Sequence, residues 1–296
     1  MVETLLLTYM GVAISNVKGY RMKKALLLVG AGNTGKSQLL MLMQRLLGQG
    51  NYATVSLHDL ETRFGASSLY SVRLAGDGDM PFQAIPELRV FKCLTGGDAI
   101  RVEYKGENAF SWVYGGVLMF CANQLPRFSG DLGKWVYDRL MIVPCNNVVP
   151  EAEQDKDLLD KMFAEREGIV YRAVMALRDF VAAGYRFDEP ECVRQARELC
   201  KASNDSVCGF AASCLVRRTE PISAEDTITV KTIYTVYCSW CKEHRLNPRP
   251  TSDYRKGLAA QYGYDSYRSM TAERAHGTYL ADYTLTLEAA EDYLRR

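Results

Sequence analysis

The stretch ALLLVGAGNTGKSQLL, residues 25–40, decides the fold class of this chain. Its apolar start predicts a buried strand, and its leucine-rich end predicts a helix. Between them lies the pattern GxxxxGKS, in which glycines let backbone N–H groups curl around phosphates at the positive end of a helix. A glycine-rich turn that precedes a lysine by chance is the alternative, but it does not explain the flanking strand and helix. The stretch therefore predicts an α/β domain that binds a nucleoside triphosphate.

Two side chains of this loop have specific expected roles. Lys36 is expected to reach the β- and γ-phosphates, and the Ser37 hydroxyl is expected to bind Mg²⁺, an ion that takes oxygen ligands. ATP and Mg²⁺ are therefore the expected cofactors. The expected nucleotide-binding residues are Gly30, Ala31, Gly32, Asn33, Thr34, Gly35, Lys36, Ser37 and Gln38.

Length and composition limit what the rest of the chain can be. A chain of 296 residues and 33.3 kDa has room for one full-sized core and a smaller second domain. Nine scattered cysteines favour reduced thiols, and no stretch reaches the roughly 18 apolar residues of a membrane span. We expect a cytoplasmic protein without a membrane partner. The net charge of +1 neither supports nor excludes nucleic acid as a partner.

Acidic residues follow the next predicted strand. In SSLYSVRLAGDGDM, residues 67–80, we expect a strand from Leu69 to Ala75 with Asp77 and Asp79 just past its end. There a carboxylate would hold Mg²⁺ through water or orient the attacking water, and Asp77 is the favoured candidate. A solvated Asp-Gly-Asp turn is the alternative interpretation.

Two further polar residues follow or precede buried strands. Val117 to Ala122 is a predicted strand that ends at Asn123, whose amide could hydrogen-bond the γ-phosphate or its attacking water. Arg139 lies between a short helix and a strand, where in a ring it could reach a neighbouring subunit's γ-phosphate. The alternatives are a turn asparagine and a surface ion pair between Arg139 and Asp138.

The order of these motifs resembles the superfamily 3 helicase core. The resemblance rests on GAGNTGKS, LAGDGDM, FKCLTGGDAIRVEYKG, FCANQLPR and YDRLMIVP, and it extends from Leu5 to about Thr286. More narrowly, the chain is similar to the C-terminal helicase part of phage, plasmid and poxvirus-type primase-helicases. This family implies a P-loop, AAA+-like ATPase core with a central parallel sheet. It also implies a ring of subunits, expected to be a hexamer, that moves along DNA in the 3′ to 5′ direction.

The resemblance assigns roles at the matching positions. It makes Lys36 and Ser37 the nucleotide and metal contacts and Asn123 a sensor of the γ-phosphate. It makes Asp77 and Asp79 the acids that serve Mg²⁺ and water, and Arg139 the finger supplied by a neighbouring subunit. Two departures from the family are visible, since Gly78 splits the acidic pair and Arg139 has no second arginine beside it.

The segment LTGGDAIRVEYKGENAF, residues 94–110, is similar to the family's β-hairpin in the ring channel. Its alternating pattern and Gly106 independently predict a hairpin. Lys105, at the expected tip, and Arg101 are the candidate contacts to the DNA backbone. A solvated lysine in a turn is the alternative interpretation of Lys105.

The remainder is expected to be a helical segment and a small terminal domain. The predicted divisions are an N-terminal helix over 1–20, the ATPase core over 21–150, a helical segment over 151–218 and a winged-helix-like domain over 219–296. In the last domain, Arg255 and Lys256 are candidate DNA contacts. Cys238 and Cys241 form a lone CxxC, which lacks the second ligand pair that structural zinc requires.

The favoured hypothesis is an ATP-driven DNA helicase and translocase that replicates a phage, plasmid or other mobile element. The alternative is an ATP-switched replication initiator or helicase loader that binds DNA without processive unwinding. A separate primase or origin-binding protein is an expected partner, because the family pairs this core with such modules. A metabolite kinase would account for the phosphate loop but not for Asn123, Arg139 and the hairpin together.

Overall fold

The computed structural model describes residues 2–80, 84–85, 87–128, 134–218, 228–244, 246–262, 266–268, 278–280 and 282–294. The chain divides into two compact units. The first comprises Met1–Arg127 and Leu132–Cys200, and the second comprises Phe128–Asp131 and Lys201–Arg296.

The first unit contains most of the regular structure. Its helices are α1 (Val2–Ile14), α2 (Lys36–Leu47), α3 (Leu57–Leu60), α4 (Arg89–Gly96), α5 (Lys134–Asp138), α6 (Leu158–Ala164), α7 (Arg166–Ala182) and α8 (Glu191–Ser203), the last of which runs past the unit boundary. Its strands are β1 (Ala25–Val29), β2 (Tyr52–Thr54), β3 (Leu74–Asp77), β4 (Ala84–Ile85), β5 (Ile100–Val102), β6 (Phe110–Trp112), β7 (Val117–Ala122), β8 (Arg127–Phe128), which straddles the boundary, and β9 (Leu140–Pro144). Short 3₁₀ helices occupy Gly19–Arg21, Gly65–Leu69 and Glu151–Glu153.

A five-stranded sheet forms the centre of this unit, in the order β2-β3-β7-β1-β9, and its strands pair in parallel. Every residue of β1 and β7 is buried, as expected for strands covered on both faces. Val29 is in register with Ala122 on one side and with Pro144 on the other. The predicted α/β core with a central parallel sheet is confirmed, and the carboxyl ends of its strands meet at one edge.

The N-terminal helix is built into this core. The hydroxyl of the fully buried Tyr9 donates to the carbonyl of Leu118 and accepts a hydrogen bond from the backbone N–H of Leu26 at 3.2 Å. One ring therefore links β7 to β1. On the opposite side, α1 packs closely on α7, and a Cβ added at Gly11 would lie 2.4 Å from the carbonyl oxygen of Ala173.

Arg73 fastens the end of α1 to the sheet. Its guanidinium donates to backbone carbonyls at 2.7–3.3 Å, and these belong to Val12, Ala13, Val17 and Gly115. Burial lowers the pKa of Arg73, but several charge-assisted hydrogen bonds offset the cost of burying the charge.

The strand before the acidic residues is shorter than predicted. The expected strand from Leu69 to Ala75 is wrong at its start, because residues 65–69 form a 3₁₀ helix and Ser71 has a φ of 66°. A positive φ at a residue other than glycine breaks an extended run. β3 therefore begins at Leu74, and Asp77 is its last residue rather than the second residue beyond its end.

The second unit has its own core. Its helices are α9 (Ser206–Cys214), α10 (Val230–Glu243), α11 (Thr251–Tyr262) and α12 (Leu287–Leu294), and its strands are β10 (Leu215–Arg217), β11 (Ser266–Arg268), β12 (Thr278–Leu280) and β13 (Tyr283–Leu285). The pairs β10–β13 and β11–β12 are antiparallel. The buried rings of Phe210, Tyr237 and Tyr254 pack against one another at its centre in tilted and edge-to-face arrangements, with ring centroids 4.5–6.2 Å apart. The winged-helix architecture remains a prediction, and residue 219, where we expected this domain to begin, lies outside the described residues.

The cysteines and the helices give no further site in the described part of the chain. No disulfide bond joins any of the nine cysteines, all of which lie in the described ranges, and no cluster of three or more His, Cys, Asp or Glu side chains in those ranges could hold a metal. None of the helices in those ranges combines the length and the apolar character needed to cross a bilayer.

Candidate functional site

The sheet topology gathers the predicted polar residues at one edge. β1 leads into the loop 30–35 and α2, β7 lies beside β1, and β3 lies beside β7. Ligands of open α/β sheets bind in the crevice outside the carboxyl ends of the strands. A cavity of about 410 Å³ opens there. Its lining residues are Gly32, Asn33, Thr34, Gly35, Lys36, Ser37, Gln38, Gly78, Asp79, Ala122, Asn123, Val149, Gln154, Asp155 and Leu158.

The loop conformation depends on its glycines. Gly35 has a φ of 83° and immediately precedes α2, so it adopts a left-handed conformation that most residues disfavour. A Cβ at Gly30 would lie 1.9 Å from the carbonyl oxygen of Cys145, so a side chain there would collide with backbone. The loop thus reaches the helix N-terminus with its backbone exposed, which is the geometry that phosphate binding requires.

Lys36 is held inside this loop. Its side chain is only 7% exposed, and its Nζ donates to the carbonyls of Gly30 and Ala31 at 2.8 and 2.6 Å and to Thr34 Oγ1 at 3.1 Å. These neutral acceptors hold the ammonium at the cavity wall. Phosphate oxygens are stronger, charged acceptors, so the same ammonium can bind a triphosphate that enters the cavity.

Oxygen atoms that could serve as Mg²⁺ ligands lie close together beside the phosphate loop. The Ser37 hydroxyl donates to the carbonyl of Gly78 at 3.2 Å, which brings α2 against the turn after β3. The Asp79 backbone N–H donates to Asp77 Oδ1 at 3.0 Å. Hydroxyl and carboxylate oxygens are the ligands that Mg²⁺ prefers, so Ser37, Asp77 and Asp79 fit this ion.

The two aspartates occupy different environments. Asp79 is exposed and lines the cavity, whereas Asp77 is half-buried, is in register with Phe120 of β7 and shapes the turn through its side chain. This arrangement favours Asp79 as the group that faces a ligand, in contrast to the sequence-based preference for Asp77. Both acids remain candidates for the metal and for the attacking water.

Asn123 follows the strand that separates the phosphate-loop strand from the acidic strand. It is exposed and lines the cavity next to Ala122. Its neighbour Cys121 is fully buried, and burial raises the pKa of this thiol to about 12 although the charge on Lys36 opposes the shift. The thiol is therefore neutral, and Asn123 is the group of this strand end that can meet a ligand.

Arg139 does not line this cavity. Its Nη1 donates to Thr95 Oγ1 at 2.8 Å and to the carbonyl of Lys92 at 3.1 Å, and its guanidinium lies 5.8 Å from the ring centre of Trp135. The structure describes both Arg139 and Asp138, and the alternative ion pair between them does not form. Arg139 is thus anchored near the end of α4, away from the phosphate loop of its own chain.

The predicted hairpin is confirmed. β5 and β6 pair antiparallel, with Arg101 opposite Ser111, and the turn contains exposed Lys105 and Gly106 with a φ of 86°. Arg101 is exposed and lies 3.8 Å from Glu103. Both basic side chains reach solvent, as a backbone contact to nucleic acid requires.

The hairpin also carries aromatic side chains that the sequence interpretation did not single out. Tyr70 packs with Phe110 and Trp112, each at a centroid distance of 5.4 Å, and Tyr104 stacks on Phe110 at 6.4 Å. Tyr70 is 46% exposed and Phe110 37% exposed. Aromatic residues at every second position of AFSWVY, residues 109–114, were the available signal for this surface.

Arg255 and Lys256 belong to the second unit. Both are exposed on α11, and Lys256 lies 3.9 Å from Asp253 one turn earlier. Exposure leaves them able to contact a phosphate backbone. Their contact with DNA stays a prediction.

Sequence reasoning missed one wall of the cavity. Val149, Gln154, Asp155 and Leu158 line it, although they follow the last core strand and were not among the predicted site residues. Their presence depends on how the chain returns after β9, which a linear pattern does not encode.

Comparison with known proteins gives the fold and a family model. The family model "Family of unknown function (DUF5906)" matches residues 28–135. No curated protein matches the chain. The apo A-form structure of the NrS-1 C-terminal region is similar at a TM-score of 0.52 with 12% identity, covering 94% of this chain and 71% of that one. A second apo structure of that region gives 0.48 with 11% identity, covering 88% and 67%.

The JCV helicase also matches, at a TM-score of 0.32 with 12% identity, covering 84% of this chain and 68% of that one. At 12% identity the NrS-1 likeness establishes the fold alone. The chain thus shares the fold of the NrS-1 C-terminal region, and it has a cavity at the carboxyl edge of its central sheet.

Proposed function

We propose that the chain is the motor part of an ATP-driven DNA helicase and translocase of the superfamily 3 type. One observation carries the proposal. Lys36, Ser37, Asp79 and Asn123 come from three neighbouring strand ends, and all of them line one cavity. A phosphate cradle, metal-suited oxygens and an amide in one site are what triphosphate hydrolysis requires.

Within one chain, each residue would have a distinct task. Lys36 and the backbone N–H groups of the loop bind and orient the phosphates, and Ser37 with the acids would hold Mg²⁺, which neutralises charge on the phosphate oxygens. Asp77 or Asp79 orients the attacking water. Asn123 contacts the γ-phosphate and so reports its loss.

The site is completed by a second copy of the chain. Arg139 is anchored on α4 and is absent from the wall of its own cavity, which fits a guanidinium that serves the adjacent subunit. A ring, most simply a hexamer, provides such a neighbour for every site. In that ring the hairpin would hold single-stranded DNA by charge contacts of Lys105 and Arg101 that tolerate any sequence.

Strand separation tests the proposal. A forked DNA duplex with a fluorophore and a quencher on its two strands is incubated with the protein and ATP, and the Lys36→Ala variant serves as the matched control. We expect ATP-dependent separation by the wild type alone. No separation together with no DNA-stimulated hydrolysis would contradict the proposal. Strong stimulation without separation would favour a replication initiator or helicase loader.

A further inference from the structure

The backbone of Arg139 is fixed at the amino end of the central sheet. Its carbonyl accepts a hydrogen bond from the backbone N–H of Ala25 at 2.8 Å, and its own N–H donates to the carbonyl of Val136 at 3.1 Å. Arg139 lies between α5 and β9, so these two bonds determine where its side chain starts. The direction of the guanidinium then depends on the groups that it meets on α4.

A buried hydroxyl of α4 holds one nitrogen of this guanidinium. Thr95 is 4% exposed, and its Oγ1 accepts from Arg139 Nη1 at 2.8 Å. The same hydroxyl donates to the carbonyl of Phe91, one turn earlier, at 2.7 Å. A hydroxyl has a single hydrogen, so the bond to Phe91 leaves its lone pairs for the cation. Thr95 is therefore oriented as an acceptor for Arg139.

The contact occupies one end of the guanidinium and leaves the other end available. Nη1 carries two hydrogens, and its second acceptor is the carbonyl of Lys92 at 3.1 Å. In the described part of the chain, Nη2 and Nε of Arg139 make no hydrogen bond or ion pair. Because the guanidinium is a planar fork, fixing Nη1 also fixes the remaining donors. Arg139 is partly exposed, so these donors can meet an anion from another chain.

The surroundings hold the guanidinium without neutralising it. The ring centre of Trp135 lies 5.8 Å from Arg139 Cζ, and an aromatic face attracts a cation without using its N–H donors. The acceptors of Nη1 are an uncharged hydroxyl and an uncharged carbonyl. By contrast, the guanidinium of Arg63 is paired with the carboxylate of Glu103. Arg139 therefore keeps its full charge for a ligand.

We propose that Thr95 is a positioning residue of the shared nucleotide site, because its hydroxyl holds the Arg139 guanidinium so that Nη2 and Nε face the γ-phosphate bound by the adjacent subunit. This inference rests on the proposed role of Arg139 as the finger of that site. Donors held in place before the reaction stabilise transition-state charge without a cost of reorganisation. Loss of the hydroxyl should therefore slow hydrolysis and leave ATP binding, which uses the loop of the other chain, unchanged.

The test removes the hydroxyl and keeps the shape of the side chain. Thr95→Val removes the acceptor, Thr95→Ser retains it, and Thr8→Val is the matched control. Thr8 is also 4% exposed and donates to the carbonyl of Thr4, four residues earlier, at 2.8 Å, but among the described residues no cation donates to it. The kcat and KM for ATP, the ATP dissociation constant from calorimetry and the urea unfolding midpoint are measured for each variant.

We expect Thr95→Val to lower kcat about thirtyfold and to keep the ATP dissociation constant within about twofold of the wild type. Thr95→Ser should recover kcat to within about threefold of the wild type, and Thr8→Val should match the wild type. In the Arg139→Ala background, Thr95→Val should cause no further fall in kcat, because the hydroxyl acts only through the guanidinium.

The outcomes separate this inference from the function on which it rests. An unchanged kcat in Thr95→Val, a Thr95→Ser variant that is equally slow, or a further fall in the Arg139→Ala background would each overturn the positioning role. Wild-type turnover by Arg139→Ala would instead overturn the proposed role of the finger. Thr95→Ala removes the same hydroxyl with a smaller side chain, and it takes the place of Thr95→Val if the urea midpoint shows that the valine variant does not fold.

Discussion

The phosphate loop and the hairpin of β5 and β6 both turn at a glycine with nearly the same backbone angle, 83° at Gly35 and 86° at Gly106. They differ in the environment of the lysine next to that glycine. Beside Gly35 the side chain of Lys36 is 7% exposed and donates to the loop itself. Beside Gly106 the side chain of Lys105 reaches solvent. The turn at Gly35 holds its lysine in a fixed position inside a cavity wall, whereas the turn at Gly106 leaves its lysine exposed to solvent.

The largest effect is expected from replacing the buried lysine of the phosphate loop, Lys36. Lys36→Ala removes the ammonium that we expect to bind the phosphates, so ATP turnover should fall by more than about a thousandfold. Lys231→Ala, which removes an exposed lysine of α10, should retain wild-type turnover and serves as the control. Steady-state phosphate release measures both variants. Retained hydrolysis in Lys36→Ala would remove the basis for the site.

Arg139→Ala is expected to have the next largest effect. It should bind ATP normally but hydrolyse it about a thousandfold more slowly, because an arginine finger stabilises charge only in the transition state. Mixing it with Lys36→Ala should restore part of the activity, since some sites then combine an intact cradle with an intact finger. Arg178→Ala, an exposed arginine paired with Asp179, is the control. Absence of any rescue would argue against a shared site.

Glycine substitutions sharpen the comparison through stability. A Cβ at Gly76 would lie 1.5 Å from the carbonyl oxygen of Met119, so Gly76→Ala should force β3 away from β7 and cost roughly 3 kcal/mol. Gly106→Ala meets no atom within 4 Å but keeps a positive φ, which should cost about 1 kcal/mol.

The matched control for this series is Gly78→Ala. Its added Cβ would lie 3.7 Å from Leu40 Cδ2, an ordinary contact, and the cost should stay below about 0.5 kcal/mol. Urea unfolding midpoints rank the variants. Equal costs at Gly76 and Gly78 would contradict the tight β3–β7 approach.

The phosphate loop and the hairpin of β5 and β6 also differ in how much of their structure the sequence predicted. GAGNTGKS identified the loop, and the structure places Lys36, Ser37 and Asn123 at one cavity, because glycine spacing and strand ends are local properties. The start of β3 was missed, since Ser71 adopts a positive φ that its residue type does not announce. The cavity wall formed by Val149 and Leu158 was not predicted, because it depends on how the chain folds back after β9.

For the hairpin, the sequence predicted the element well but the functional role of its side chains poorly. Its alternation and Gly106 correctly predicted the element, but exposed Lys105 and Arg101 make few contacts that would define a role. A surface charge is compatible with solvent, DNA or a partner, whereas the burial of Lys36 in a glycine loop supports the proposed phosphate contact.

The smallest expected effect concerns the exposed lysine of the hairpin, Lys105. Lys105→Ala should leave basal ATP turnover unchanged and weaken single-stranded DNA binding severalfold. The slope of log affinity against log salt should become shallower by about 1, as one phosphate contact is lost. Lys156→Ala, an exposed lysine outside the hairpin, should change neither quantity. An identical salt slope in Lys105→Ala would mean that this lysine is only solvated.

We propose that two copies of the chain complete each nucleotide site, and ATP turnover per chain, measured over a range of protein concentrations, tests this arrangement. Mass photometry at the same concentrations reports assembly. We expect turnover per chain to rise as the monomer is converted to the ring and to be nearly absent in the monomer. Full turnover by a protein that remains monomeric would contradict it.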